Sequence, residues 1–160
     1  MPTTDTAARA DVAAIRAAVP ILRAARRGLN VSHTSVDQAW GTVQFAVPPV
    51  AAALHAARGT LRQQLGAQDI RDDHIGALEL VASELLGAAL EAGNAEPLTL
   101  SVKLFALISS VRVRCPKGGE LRDEPYGIRE RVLEGVAFAW GKREYTDRSV
   151  DLWAEVAKPK

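Results

Sequence analysis

Apolar residues recur along this chain with two different periods, and each change of period marks a new element. Residues 1–5 carry no period and read as disordered. From Thr6 to Arg27 an Ala-rich stretch spaces Val12, Ile15, Val19 and Leu22 as a helix would. Pro20 interrupts it. Proline is tolerated in a first turn, so two short helices fit, the second opening at Pro20. Gly28 and Asn30 are stop signals, and residues 29–41 (LNVSHTSVDQAWG) have no period and read as a linker.

Thr42 to Val47 (TVQFAV) alternates as a strand does, and Pro48-Pro49 ends it. Val50 to Leu65 returns to helical spacing, with Val50, Leu54, Ala57 and Leu61 on one stripe and Gly66 at the end. Asp69 or Asp72 is placed to cap the next helix. That helix runs to about Ala92 and buries Ile75, Leu78, Val81, Leu85 and Ala89; Gly93-Asn94 closes it and Pro97 forbids its continuation. Leu98 to Leu107 and Val111 to Cys115 then alternate, with Lys103, Arg112 and Arg114 on the polar side. A turn around Ser109-Ser110 makes them a hairpin. Residues 116–126 are a polar loop, Gly127 to Ala139 a helix, and Trp140 to Tyr145 with Ser149 to Val156 a last hairpin around Thr146-Asp147-Arg148. Strand, helix, helix, strand, strand, helix, strand, strand is the order of an α+β two-layer sandwich, a mostly antiparallel sheet with helices on one face. The domain spans 42–160, preceded by an N-terminal helical extension and linker over 1–41.

Composition narrows the classes. The chain has 160 residues, enough for one domain with a real core. It is 48% hydrophobic and 24% charged with net charge +1, which carries no overall signature of a nucleic-acid binder. Arg23, Arg26 and Arg27 cluster, a pattern that usually marks a solvated face. One cysteine, Cys115, excludes an intrachain disulfide and fits a reducing compartment. No apolar run has the ~20 residues of a membrane span, and the N-terminus lacks the basic-then-apolar order of a secretory signal. The expected location is the cytoplasm, with no membrane or direct nucleic-acid partner. His33, His55 and His74 are not at metal-ligand spacing, so no metal site is expected. Trp40, Trp140 and Trp153 are expected as core or edge packing. The chain contains no Gly-x-Ser-x-Gly, no paired Cys motif and no Walker loop.

Four stretches carry a resemblance: FAVPPVAAALHAARGTLRQQL, the helix LELVASELLGAALEAG, the strand end VRVRC, and GIRERVLEGVAFAWG followed by SVDLWAEV. Together, over roughly residues 42–156, they resemble the GHKL (histidine-kinase-like) ATP-binding fold of gyrase, heat-shock chaperones, histidine kinases and mismatch-repair ATPases. The nearer likeness is to the small anti-sigma factor serine kinase branch, with its many actinobacterial members. The resemblance implies a nucleotide pocket at Glu84, Ala88, Cys115, Gly118, Gly119, Gly127 and Arg129.

Three of the four nucleotide-contacting elements depart from the family pattern. The family's long helix has a Glu, then four residues on an Asn that holds Mg²⁺. Glu84 stands at the first position and Ala88 at the second, where a methyl group offers a hard cation no oxygen. A strand-ending Asp accepts the adenine amino group in the family; Cys115 replaces it, a weak acceptor, ahead of Gly118-Gly119. A Gly-x-Gly turn brings backbone N–H groups to the phosphates; here Gly127 is followed by Arg129 and Glu130. The implied function is a degenerate, non-catalytic member of the branch, a regulatory module that binds a sigma factor or an anti-sigma-antagonist protein, with homodimerisation a further option. No cofactor is expected, no catalytic residue is retained, and Glu84 is a relic candidate. The alternative is an active serine kinase using ATP and Mg²⁺, with Glu84 as base and Arg129 on the phosphate. A third reading is a small-molecule sensor reusing a more apolar pocket.

Overall fold

In the computed structural model the described residues are 2–5, 39–117 and 128–159. They form strands β1 (Pro2–Asp5), β2 (Gly41–Val47), β3 (Leu98–Leu104), β4 (Ile108–Cys115), β5 (Ala139–Tyr145) and β6 (Val150–Ala157). The helices are α1 (Ala53–Gly66), α2 (Asp72–Glu91) and α3 (Ile128–Val136). The sheet has the order β1-β5-β6-β4-β3-β2, and every neighbouring pair is antiparallel. The fold is thus the expected α+β two-layer sandwich. The expected N-terminal helices fall outside the described residues.

One core joins the helices to one face of the sheet. Ala53, Ala57, Leu61 and Leu65 of α1 and Ile75, Leu78, Val81, Leu85 and Ala89 of α2 are buried in it. They meet Val43 and Val47 of β2, Leu98, Leu100, Val102 and Leu104 of β3, Val111 and Val113 of β4, and Val150, Leu152, Ala154 and Val156 of β6. These strand positions are alternate residues, so the period of two places them all on one face. Helix α2 lies over β4 and β6, with α1 and α3 packed beside it. Gly93 ends α2 in the left-handed conformation (φ 77°), and the Asn94 side-chain amide donates to the Ala89 carbonyl at 2.7 Å.

Several expected boundaries move, each for a local reason. Residues 2–5, expected to be disordered, form β1 and add to the sheet edge at β5. Helix α1 starts at Ala53, because the chain leaving Pro48-Pro49 first makes a turn in which Ala53 N–H donates to the Val50 carbonyl. Val50 is therefore exposed rather than on the buried stripe. The cap position of α2 is Arg71, which makes no side-chain cap bond; Asp72 is already helical. The β3–β4 turn falls at Phe105–Leu107, closed by Phe105 N–H to the Ile108 carbonyl at 2.9 Å, while Ser109 and Ser110 belong to β4. Both serines continue the alternation, and a strand needs only the pleat. Helix α3 stops at Val136, and Ala139 already pairs with Glu155. The last turn is as expected: Arg148 adopts φ 70°, and Asp147 accepts from the Ser149 backbone N–H and hydroxyl at 2.9 and 2.6 Å. Among the described residues no helix is long and apolar enough to cross a membrane.

Candidate functional site

Of the positions singled out by the resemblance, Glu84, Ala88 and Cys115 sit on the helix side of the sheet. Glu84 and Ala88 lie one turn apart on α2, both partly buried, with Ala88 packed against the main core. Cys115 is the last residue of β4, fully buried in that same core and opposite Val150 of β6. The fold thus brings Ala88 and Cys115 into one apolar layer. Burial, and secondarily the negative charge of Asp151, pushes the Cys115 thiol up to about 12. It stays protonated at neutral pH and is a poor nucleophile, which suits the small strand-ending residue rather than a reactive one. Arg129 takes the second position of α3. Gly118, Gly119 and Gly127 lie outside the described residues, so the loop expected over 116–126 is described only at Pro116 and Lys117. There Lys117 pairs with Glu96 at 3.3 Å.

Polar order is concentrated on the opposite face. Cross-strand register sets Arg114 beside Asp151 and Arg112 beside Trp153. Asp151 is 1% exposed and accepts from Arg114 Nε at 2.7 Å and Nη2 at 2.9 Å, a bidentate pair. The Tyr145 hydroxyl donates to Asp151 Oδ2 at 3.0 Å, and the Arg114 guanidinium lies 4.9 Å from the centre of the Tyr145 ring. Arg112 Nε approaches Oδ2 at 3.7 Å. The hydrogen bond to Asp151, ahead of its Coulomb attraction, raises the Arg114 pKa against the opposing effect of burial. Asp151 and Tyr145 were not signalled by the sequence. A lone acid in a strand alternates like any outward residue, and only the register reveals that Arg114 faces it.

Beside this cluster the face opens into a shallow groove of about 380 Å³, lined by Gln44, Thr99, Ser101, Lys103, Ser110, Arg112 and Arg114. At the other end a small second core closes the face, made of Phe105, Ile108, Phe138, Ala139 and Trp153. Trp153 is thus core packing and Trp140 packs on the main core. Trp40 is 48% exposed; its indole N–H donates to the Phe105 carbonyl at 3.2 Å and the Lys158 ammonium lies 4.6 Å from the ring centre.

A buried histidine is a further site that sequence spacing did not signal. His74, in the first turn of α2, lies 2.8 Å through Nε2 from the Ser109 hydroxyl of β4, and both side chains are buried. His74 Nδ1 is buried without a hydrogen-bond partner. Burial first, then the charge of Lys158, lowers its pKa against the opposing pull of Asp73. The ring is therefore held neutral, which is what an apolar site with one hydroxyl partner favours.

Compared with known proteins, the chain matches no family model. No curated protein matches it either.

Proposed function

We propose that this protein is a non-catalytic regulatory module that works by binding another protein in the cytoplasm, as a degenerate relative of the anti-sigma factor serine kinases. The observation that carries this reading is the chemistry at two positions. Ala88 presents a methyl group packed against the core, and Cys115 a fully buried, protonated thiol. The resemblance would require an oxygen ligand for Mg²⁺ at the first and a carboxylate acceptor for adenine at the second. Neither group present can do that work. Without them Glu84 has no bound phosphate to act on, so phosphotransfer is not expected. The partner class implied is a sigma factor or an anti-sigma-antagonist protein. That step rests on the resemblance, since a fold supports many functions.

Calorimetric titration of ATP and ADP, each with and without Mg²⁺, tests the reading. No heat at millimolar nucleotide is expected. Micromolar, Mg²⁺-dependent binding would overturn it and put the serine kinase, with Glu84 as base, in its place.

A further inference from the structure

The groove on the open face has a regular plan. On the β3–β4 ladder Lys103 faces Ser110, Arg112 faces Ser101, and Arg114 faces Thr99. Each rung therefore sets one cation beside one hydroxyl. Directly opposed side chains on one face are about 5 Å apart, and successive rungs on that face are about 6.7 Å apart. Cation plus hydroxyl is a donor set for an oxyanion, repeated three times in a row. Arg114 is already committed to Asp151. Lys103 is exposed and Arg112 is 39% exposed, its nearest carboxylate oxygen at 3.7 Å. The groove's described lining contains no acid; the nearest carboxylates on this face, Asp151 and Glu155, lie on the neighbouring strand β6 and are buried.

We infer that this face, over β3 and β4, docks an acidic segment of a protein partner, with Lys103 and Arg112 as the receiving cations and Ser101 and Ser110 as hydroxyl donors. Two observations select the occupant. Carboxylates on alternate residues of an extended chain recur at about 6.7 Å, which matches the rungs. Single-stranded nucleic acid, the other polyanion, binds through aromatic stacking platforms, and the described lining has no aromatic ring. Of the chain's own segments outside the described residues, 6–38 carry five Arg against two Asp and so have the wrong sign, and in 118–127 the alternate positions Glu120, Arg122 and Glu124 break a run of carboxylates with a cation. The inference rests on the proposed function only in taking the partner to be a protein.

A fluorescent alternating Glu-Ser peptide, titrated by anisotropy at low and at physiological salt, is the probe. An alternating Lys-Ser peptide and a single-stranded oligonucleotide serve as comparators. The acidic peptide should bind, weaken with salt, and lose at least about tenfold in the full-length Lys103→Glu/Arg112→Glu variant, since like charges repel across such a contact. Lys103→Gln/Arg112→Gln should lose a smaller factor, and covers the case in which charge reversal disturbs the sheet. Equal binding by the neutral double variant overturns the inference, as does a preference for the oligonucleotide. Self-association at low salt that the same substitutions abolish would assign the face to a second copy and also overturn it. Nucleotide binding in the calorimeter would remove the proposed function while leaving this surface untouched, so the two failures are distinguishable.

Discussion

The two faces of this sheet are built from the same strands and differ in almost everything else. On the helix side, Leu100, Val102, Val111, Val113, Leu152 and Ala154 are at most 6% exposed and meet three helices. On the other side the very next residues are Ser101, Lys103, Arg112, Arg114, Asp151 and Trp153. One face is held by apolar area, which is non-directional and tolerant of exchange. Beyond the small second core at one end, the other is held by directed contacts around Asp151. They are few, but each leaves a stranded partner when broken. Ala88 and Cys115 belong to the apolar side, whereas the ordered charge of Arg112, Arg114 and Asp151 lies on the other.

The largest effect should come from the helix side. Leu78→Ala removes a side chain with no exposed surface, and should cost about 2–5 kcal/mol in urea unfolding. A loss below about 1 kcal/mol would mean that α2 does not pack as described. Asp151→Ala comes next. It strands Arg114 and the Tyr145 hydroxyl, but Arg114 is 47% exposed and water can replace part of the pairing. About 1–3 kcal/mol is expected, and Asp151→Asn should recover part of it. An unchanged urea midpoint in Asp151→Ala would reduce the charged cluster to decoration.

Titration separates the faces further. His74 is held neutral and its pKa lies below the ordinary 6.5. The unfolded state binds the proton first, so stability present above pH 6.5 should drain away as pH falls through the lower folded value. The steepest slope from this one group is about 1.4 kcal/mol per pH unit. His74→Gln should flatten that limb of the profile, and a profile unaltered by the substitution would contradict the buried neutral ring. Cys115 has the opposite window. Its pKa is raised from 9.0 to about 12, so stability held below 9.0 should be lost as pH rises between those values. At neutral pH the thiol should react with a thiol reagent only at the rate at which the protein opens, and rapid labelling of the folded chain would show that the site is accessible. The smallest effect is expected at the groove. Lys103→Gln and Arg112→Gln should each shift stability by less than about 0.5 kcal/mol, which is what makes them clean probes of binding.

How much was legible beforehand follows from the same contrast. The buried stripe of α2 could be read residue by residue, because Ile75, Leu78, Val81, Leu85 and Ala89 repeat at helical spacing over many turns. The alternation in β3 was equally plain. Short elements were read less well. Ser109 and Ser110 look like turn residues, but Ser109 is buried as the partner of His74 and Ser110 continues the ladder. Val50 fits a helical stripe in sequence and misses the core because the helix begins three residues later. At the nucleotide-like positions the residue types could be read, and their consequence depended on burial: a cysteine at a strand end is ambiguous until it is found without solvent.

By itself the sequence determined the order of elements from β2 onward, the face each long element buries, and the absence of a paired-cysteine or Walker-type motif, because period and residue type are local properties. Tertiary structure alone decided that β6 inserts between β4 and β5. That placement is a matter of pairing between strands far apart in the chain. It sets Asp151 against Arg114 across 37 positions and His74 against Ser109 across 35. No local pattern encodes those distances, since the free energy that selects them is gained only when the sheet and its core form together.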